Sequence, residues 1–166
     1  AAPTTETSSQ PLAATSALVL VTNTNVPANT AKEFIAWGKA QANAVSFGSI
    51  GAGSLSHLTM EAIAQRAGTT IVHIPYGGSP QAITAVIRGD VQAACLPAIA
   101  VTPQLADGKV KILAVATAQR SRFLPDVPTL KESGIDVESD AWNALIAPAG
   151  TAPATIAQIN DEVRDI

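Results

Sequence analysis

The residues best suited to chemistry lie in two glycine- and serine-rich turns, Gly48-Ser49-Ile50-Gly51-Ala52-Gly53-Ser54 and Pro75-Tyr76-Gly77-Gly78-Ser79-Pro80. Each follows a β-like run and precedes a helix-like one. Turns in that position aim backbone N–H groups and the positive end of a helix dipole at one point, an arrangement that suits an anion. In the first, Gly48, Gly51 and Gly53 leave the backbone open to close approach, Ser49, Ser54 and Ser56 add hydroxyls, and His57 falls in the first helical turn. In the second, Tyr76 offers a ring to stack and a hydroxyl to bond, and Gly77 and Gly78 expose N–H groups at the helix start. The candidate ligand-binding residues are Ser49, Gly51, Gly53, Ser54, His57, Tyr76, Gly77 and Gly78. The structural alternative is a pair of ordinary strand-to-helix connections, one with a serine cap and one with a core tyrosine.

Neither turn holds Lys or Arg. The glycines are not spaced as G-x-G-x-x-G and no G-K-[ST] follows, which argues against dinucleotides and nucleoside triphosphates. Ser54 or Ser56 with His57 would be a hydrolase pair, but helix neighbours this close rarely face each other and no G-x-S-x-G elbow is present. No catalytic residue is assigned. A metal held by His57 and His73 would need further ligands. His73, between Val72 and Ile74, reads as a satisfied structural histidine in a strand, so no metal and no cofactor are expected. Cys95 lies in an apolar run and reads as a small buried hydrophobe. The basic stretch Arg120 to Arg122 reads as a solvated loop.

The elements that must position the turns follow from patterning. Leu18 to Val21 is a short buried strand after an irregular segment over 1–16. Thr30 and Glu33 form a capping box for a helix that fades near Asn43, and Val45 to Phe47 is the next strand. A helix starts near Ser54 with Leu55, Leu58, Ala62 and Ile63 as its apolar stripe and Gly68 at its end. Thr70 to Ile74 is a β-branched strand, and Ser79 as N-cap with Pro80 opens a helix that closes at Arg88-Gly89. Val91 to Leu96 and Lys111 to Ala116 are strands, separated by a short helix ending at Asp107-Gly108. Thr129 to Ser133 is one helical turn stopped by Gly134, strand follows around Trp142, and Pro153 to Ile166 is a last helix. This alternation predicts a layered α/β fold with a mainly parallel sheet and helices on both faces. Ligands of such sheets lie beyond the carboxyl ends of the strands, where both glycine turns fall.

Bulk numbers agree. A chain of 166 residues is one medium domain with, at most, a small appendage. Hydrophobic residues make up 47% but aromatics only 4%, a composition suited to close helix-on-sheet packing. A net charge of -3 with 14% charged residues argues against nucleic acid, which favours a basic face.

Several stretches carry a family resemblance. Gly48 to Leu58 resembles the first ligand loop of the tripartite tricarboxylate transporter receptors, also called Bug proteins. His73-Ile74-Pro75-Tyr76-Gly77-Gly78 is similar to their V-P-Y-K-G loop, Ala114 to Ser121 and Leu124 to Leu130 to their LAVTSAKRS…LPDVPT stretch, and Ala147 to Thr151 to their APAGTP turn. The resemblance covers residues 11–166. It departs at Gly77, where the family has Lys, and at Leu96-Pro97, where many members have Asp-Asn.

What the resemblance implies is a type II periplasmic-binding-protein-like lobe. The protein would be a periplasmic, non-enzymatic receptor that closes two lobes on a small carboxylate and presents it to membrane transporter subunits. Residues 1–16 would be an inter-lobe segment, 17–141 the ligand-binding second lobe, and 142–166 a return toward a first lobe whose N-terminal part is expected to lie outside this chain. Self-association of such a half is a further expectation. An effector-binding domain of a regulator with the same lobe fold, and the serine hydrolase above, are the alternatives.

Overall fold

Buried residues alternate along β1 (Ala14–Asn23) in a way that fixes the layering. Leu18 and Leu20 turn to one side and Val19 and Val21 to the other, and none exceeds 2% exposure. A strand apolar on both faces belongs inside a sheet that is covered on both sides. The computed structural model describes residues 14–41, 45–143, 145 and 147–164. After β1 come α1 (Ala31–Ala40), β2 (Ser46–Ser49), α2 (Leu55–Ala67), β3 (Val72–Pro75), α3 (Ser79–Arg88), β4 (Ala93–Pro97), α4 (Ala98–Ala106), β5 (Val110–Val115), β6 (Asp140–Asn143) and α5 (Pro153–Arg164). The strands lie in the order β3-β2-β4-β1-β5, and β6 pairs with β1.

Two cores flank the sheet. One joins Leu18, Leu20 and Phe47 to Phe34 of α1 and to Met60 and Ile63 of α2. The other joins Val19 and Val21 to Ile83 and Val86 of α3 and Val101 of α4. Helices thus cover both faces of an α/β sheet, as expected.

Strand direction is where the sheet departs from expectation. β2 runs parallel to β3 and β4, but β1 is antiparallel to both β4 and β5. The sheet is therefore mixed, with β1 reversed relative to β2, β3, β4 and β5. A central strand buries both faces whichever way it runs, so the apolar pattern of β1 carries no directional signal.

Helix boundaries mostly obey local chemistry. Thr30 caps α1 through the Glu33 N–H at 3.1 Å, while the Glu33 carboxylate reaches one residue further back than a standard capping box, to the Asn29 N–H at 2.8 Å. The expected fading of this helix at Asn43 lies outside the described residues. Gly68 and Gly89 end α2 and α3 in the left-handed conformation. Thr129 and Glu132 cap each other across a turn closed by Gly134 at φ 83°.

The buried face of α2 differs from the expected stripe. Ser56, Thr59, Met60, Ile63 and Ala64 are buried, whereas Leu55 and Leu58 are 39% and 54% exposed. Small and hydroxyl-bearing residues let α2 approach the sheet closely, and Thr59 Oγ1 bonds the Leu55 carbonyl and Ser139 Oγ, each at 2.7 Å.

The chain divides into two compact units, Ser16–Ala141 and a second that includes Trp142–Ile166. In the second, Thr151 turns back on the Pro148 carbonyl ahead of α5. Among the described residues no helix is long and apolar enough to cross a membrane.

Candidate functional site

Connectivity singles out one end of the sheet. From β2 the chain crosses through α2 on one face to β3. From β4 it leaves through α4, on the other face, toward β5. Neighbouring parallel strands whose following helices depart to opposite faces create a crevice beyond their carboxyl ends. The 50–54 turn stands at the end of β2 and the start of α4 at the end of β4. The second glycine turn follows β3 on the other side of β2, tied to it by the Tyr76 N–H donating to the Ser49 carbonyl at 3.0 Å.

The first turn is organised internally. Gly51 and Gly53 have φ of 129° and 76°, which favour glycine. Ser54 is the N-cap of α2, accepting the His57 N–H at 3.3 Å and donating its hydroxyl to the Gly51 carbonyl at 2.7 Å. His57 Nδ1 accepts the Gly53 N–H at 3.0 Å. Ser49 is 0% exposed; its Oγ accepts the Gly51 N–H at 3.2 Å and lies 2.6 Å from His73 Nε2. Two expectations change. The N–H groups of Gly51, Gly53, Ser54 and His57 are already bonded within the protein rather than offered outward. Ser49 points into the α2 face of the sheet, so its hydroxyl shapes the turn from beneath.

The second turn is the open one. Gly78, not Ser79, is the N-cap of α3, Pro80 sits within the first turn, and no side chain caps the helix. Pro97 likewise leaves α4 without a side-chain cap. Of the helices that start at this end of the sheet, α3 and α4 thus present N-termini without a side-chain cap, while α2 caps itself. Tyr76 is half-buried, with its ring over Gly48; a Cβ there would stand 3.1 Å from the ring. Any residue larger than glycine at 48 would need the Tyr76 ring or Val91 to shift by a few tenths of an ångström.

The hydrolase arrangement is not formed. Ser56 Oγ is buried without a partner, and Ser54 contacts the His57 backbone rather than its ring. Ser49 with His73 is the Ser–His ring contact among the described residues, but that serine is sealed from solvent. Patterning flagged His73 as structural without revealing its partner; only the pairing of Ser49 with Pro75 and of Phe47 with His73 brings the two side chains to one face. The start of α4 drew notice only as the Leu96-Pro97 departure from the family motif, since Pro97-Ala98-Ile99 carries no polar group. Cys95 is buried, and its thiol is pushed up to about 12 by desolvation. No group of three or more metal-ligating side chains occurs among the described residues.

Residues 6–166 match the family described as "Tripartite tricarboxylate transporter family receptor". The chain belongs to this family. It is 37% identical over 143 residues to the "UPF0065 protein in gbd 5'region" of Cupriavidus necator, covering 86% of this chain and 43% of that one. It is 34% identical over 149 residues to "Protein BugT" of Bordetella pertussis, covering 89% and 46%. Among solved structures, Rpa4515 of R. palustris with adipate superposes with a TM-score of 0.89 at 27% identity, over 93% of this chain and 52% of that one. MatC of Rhodopseudomonas palustris with bound malate gives 0.84 at 26% identity, over 93% and 53%. This tripartite tricarboxylate receptor family chain thus spans about half the length of the relatives it matches.

Proposed function

We propose that this chain forms one wall of the ligand cleft of a periplasmic solute receptor, which holds a small carboxylate and presents it to the membrane subunits of a tripartite transport system without chemically altering it. Residues 17–141 act as the ligand-binding second lobe and 142–166 as the return toward the first lobe. Gly51, Gly53, Ser54, His57, Tyr76, Gly77 and Gly78 face the ligand, and Ser49 supports them from below. The observation that carries the reading is the placement of the two turns side by side at the crevice end of the sheet, in a chain of this family. Adipate and malate in the related structures support a carboxylate as the ligand class.

Energetics set what one wall can do. A helix end contributes roughly 0.3–2 kcal/mol toward an anion. A charge-assisted hydrogen bond adds about 1.5–3 kcal/mol before ordering costs. Micromolar affinity needs about 8 kcal/mol net. With much of the first turn's N–H capacity used internally, the 166-residue chain is expected to bind adipate or malate with millimolar or weaker affinity. NMR titration tests this: the Gly77 and Gly78 amides shift with added dicarboxylate, whereas no shift at either turn at tens of millimolar sinks the reading.

A further inference from the structure

Phe47 and His73 are direct partners in the parallel pairing of β2 with β3, so their side chains leave the same face of the sheet. His57 descends onto that face from α2. The His73 ring centroid lies 4.9 Å from that of Phe47 and 3.8 Å from that of His57, at interplanar angles of 25° and 10°. Each imidazole also reaches the first glycine turn. His73 Nε2 is 2.6 Å from Ser49 Oγ, and that oxygen meets both the N–H and the carbonyl of Gly51, at 3.2 and 3.0 Å. His57 Nδ1 accepts the Gly53 N–H at 3.0 Å. Two of the turn's residues are glycines at positive φ, with no side chain to fix their own conformation. The imidazole pair supplies that constraint from outside.

We propose that stacked His57 and His73 are positioning residues which hold the 49–54 turn in its ligand-receiving shape, and that His57 does so only as a neutral ring. The proposal rests on the reading that this turn faces the ligand. A hydrogen bond accepted at Nδ1 requires a lone pair there, so neutral His57 carries its proton on Nε2, 3.6 Å from Glu61 Oε1. A protonated His57 carries N–H on both nitrogens, and its Nδ1–H would oppose the Gly53 N–H. Two charged rings 3.8 Å apart would also repel. Among the described residues, the titratable groups facing the pair are the two histidines, on α2 and β3, and Glu61 on α2; β2 presents the uncharged Phe47 and Ser49. Burial, then the neighbouring His57, hold His73 below its ordinary value of 6.5, with Glu61 acting the other way. Protonation of His57 therefore breaks the Gly53 bond and loosens the turn.

NMR of the 166-residue chain without ligand, over about pH 5 to 8, reads the Gly51 and Gly53 amides directly. Both should move as pH falls. His57→Asn keeps an acceptor near the Nδ1 position but cannot titrate, so its Gly53 amide should stay flat. His73→Ala should displace the Gly51 amide at every pH, and His73→Gln, which keeps a polar atom near Nε2, should restore it. A wild-type Gly53 amide that ignores pH, or a Gly53 step surviving in His57→Asn, overturns the proposal. With adipate as probe, the loss of affinity from pH 7.5 to pH 5.5 should be about threefold or more greater in wild type than in His57→Asn. Comparing both proteins at each pH cancels the ionisation of adipate itself. If adipate binds at neither pH, the carboxylate reading fails, while the ligand-free amide titration still decides the role of the histidines.

Discussion

At the scale of single residues, Gly48 shows how tightly the second turn is built. A Cβ there would meet the Tyr76 ring at 3.1 Å and Val91 at 3.3 Å. Gly48→Ala is expected to cost about 1–3 kcal/mol, the usual penalty for overpacking, and to displace Tyr76. Chemical denaturation measures the first effect and the fluorescence of this single tyrosine the second; an unchanged midpoint would mean that the ring yields freely. Cys95 offers a different check. Buried and held as a thiol by desolvation, it should resist an aromatic disulfide reagent in the native protein and react fully in denaturant. Rapid labelling under native conditions would contradict its place in the core. Among residues, the conformational signals were legible in the sequence, as at Gly68 and Gly89. The direction of a side chain was not. Ser49 read as a ligand hydroxyl because it stands in a glycine-rich turn, yet strand alternation sends it inward.

Elements tell the same story through their caps and faces. Ser54 as N-cap of α2 was visible in the sequence, since a serine ahead of an apolar-periodic run has a local partner three residues on. Ser54→Ala removes the cap and its bond to the Gly51 carbonyl, and should cost about 0.5–2 kcal/mol by thermal unfolding. The face of α2 was harder to read. Leu55 and Leu58 satisfy helical periodicity as well as Met60 and Ile63 do, and only the neighbouring strands decide which set is buried. Leu58→Gln should therefore change stability by no more than about 0.5 kcal/mol, whereas Met60→Ala should cost about 2–5 kcal/mol. Equal losses in urea titrations of the two variants would put the stripe back where periodicity alone suggested it. The start of α3 differs from expectation by a single residue, Gly78 in place of Ser79, and that difference leaves its first N–H groups without a side-chain cap.

For the whole molecule, pH links the site to stability. Folding holds His73 below its ordinary value, so the unfolded chain binds a proton that the native state resists. The resulting stability is complete above 6.5 and is lost as pH falls through that value toward the lowered native one. Glu132 behaves in the same sense at lower pH: the Thr129 N–H and then Arg120 favour its carboxylate, a contribution present above the ordinary 4.5 and lost below it. Urea midpoints should thus decline between neutral pH and about pH 5, and His73→Gln should flatten the upper part of that decline. A wild-type midpoint that is constant across this window would contradict the environment described for His73. The layering of the sheet was readable because β1 is apolar on both faces. The reversal of β1 was not, because burial is blind to strand direction.

The sequence by itself determined which segments turn, that Thr30 and Ser54 cap their helices, that the fold alternates β with α, and that the family motifs stand in order. Those properties rest on interactions within a few residues or on composition, so they survive in a one-dimensional reading. Tertiary structure alone decided that Ser49 is sealed beneath its turn, that the open helix ends belong to α3 and α4, and that two histidines sixteen residues apart stack on Phe47. Each depends on strand pairing between segments distant along the chain, and register between strands is set by the packing of both sheet faces at once.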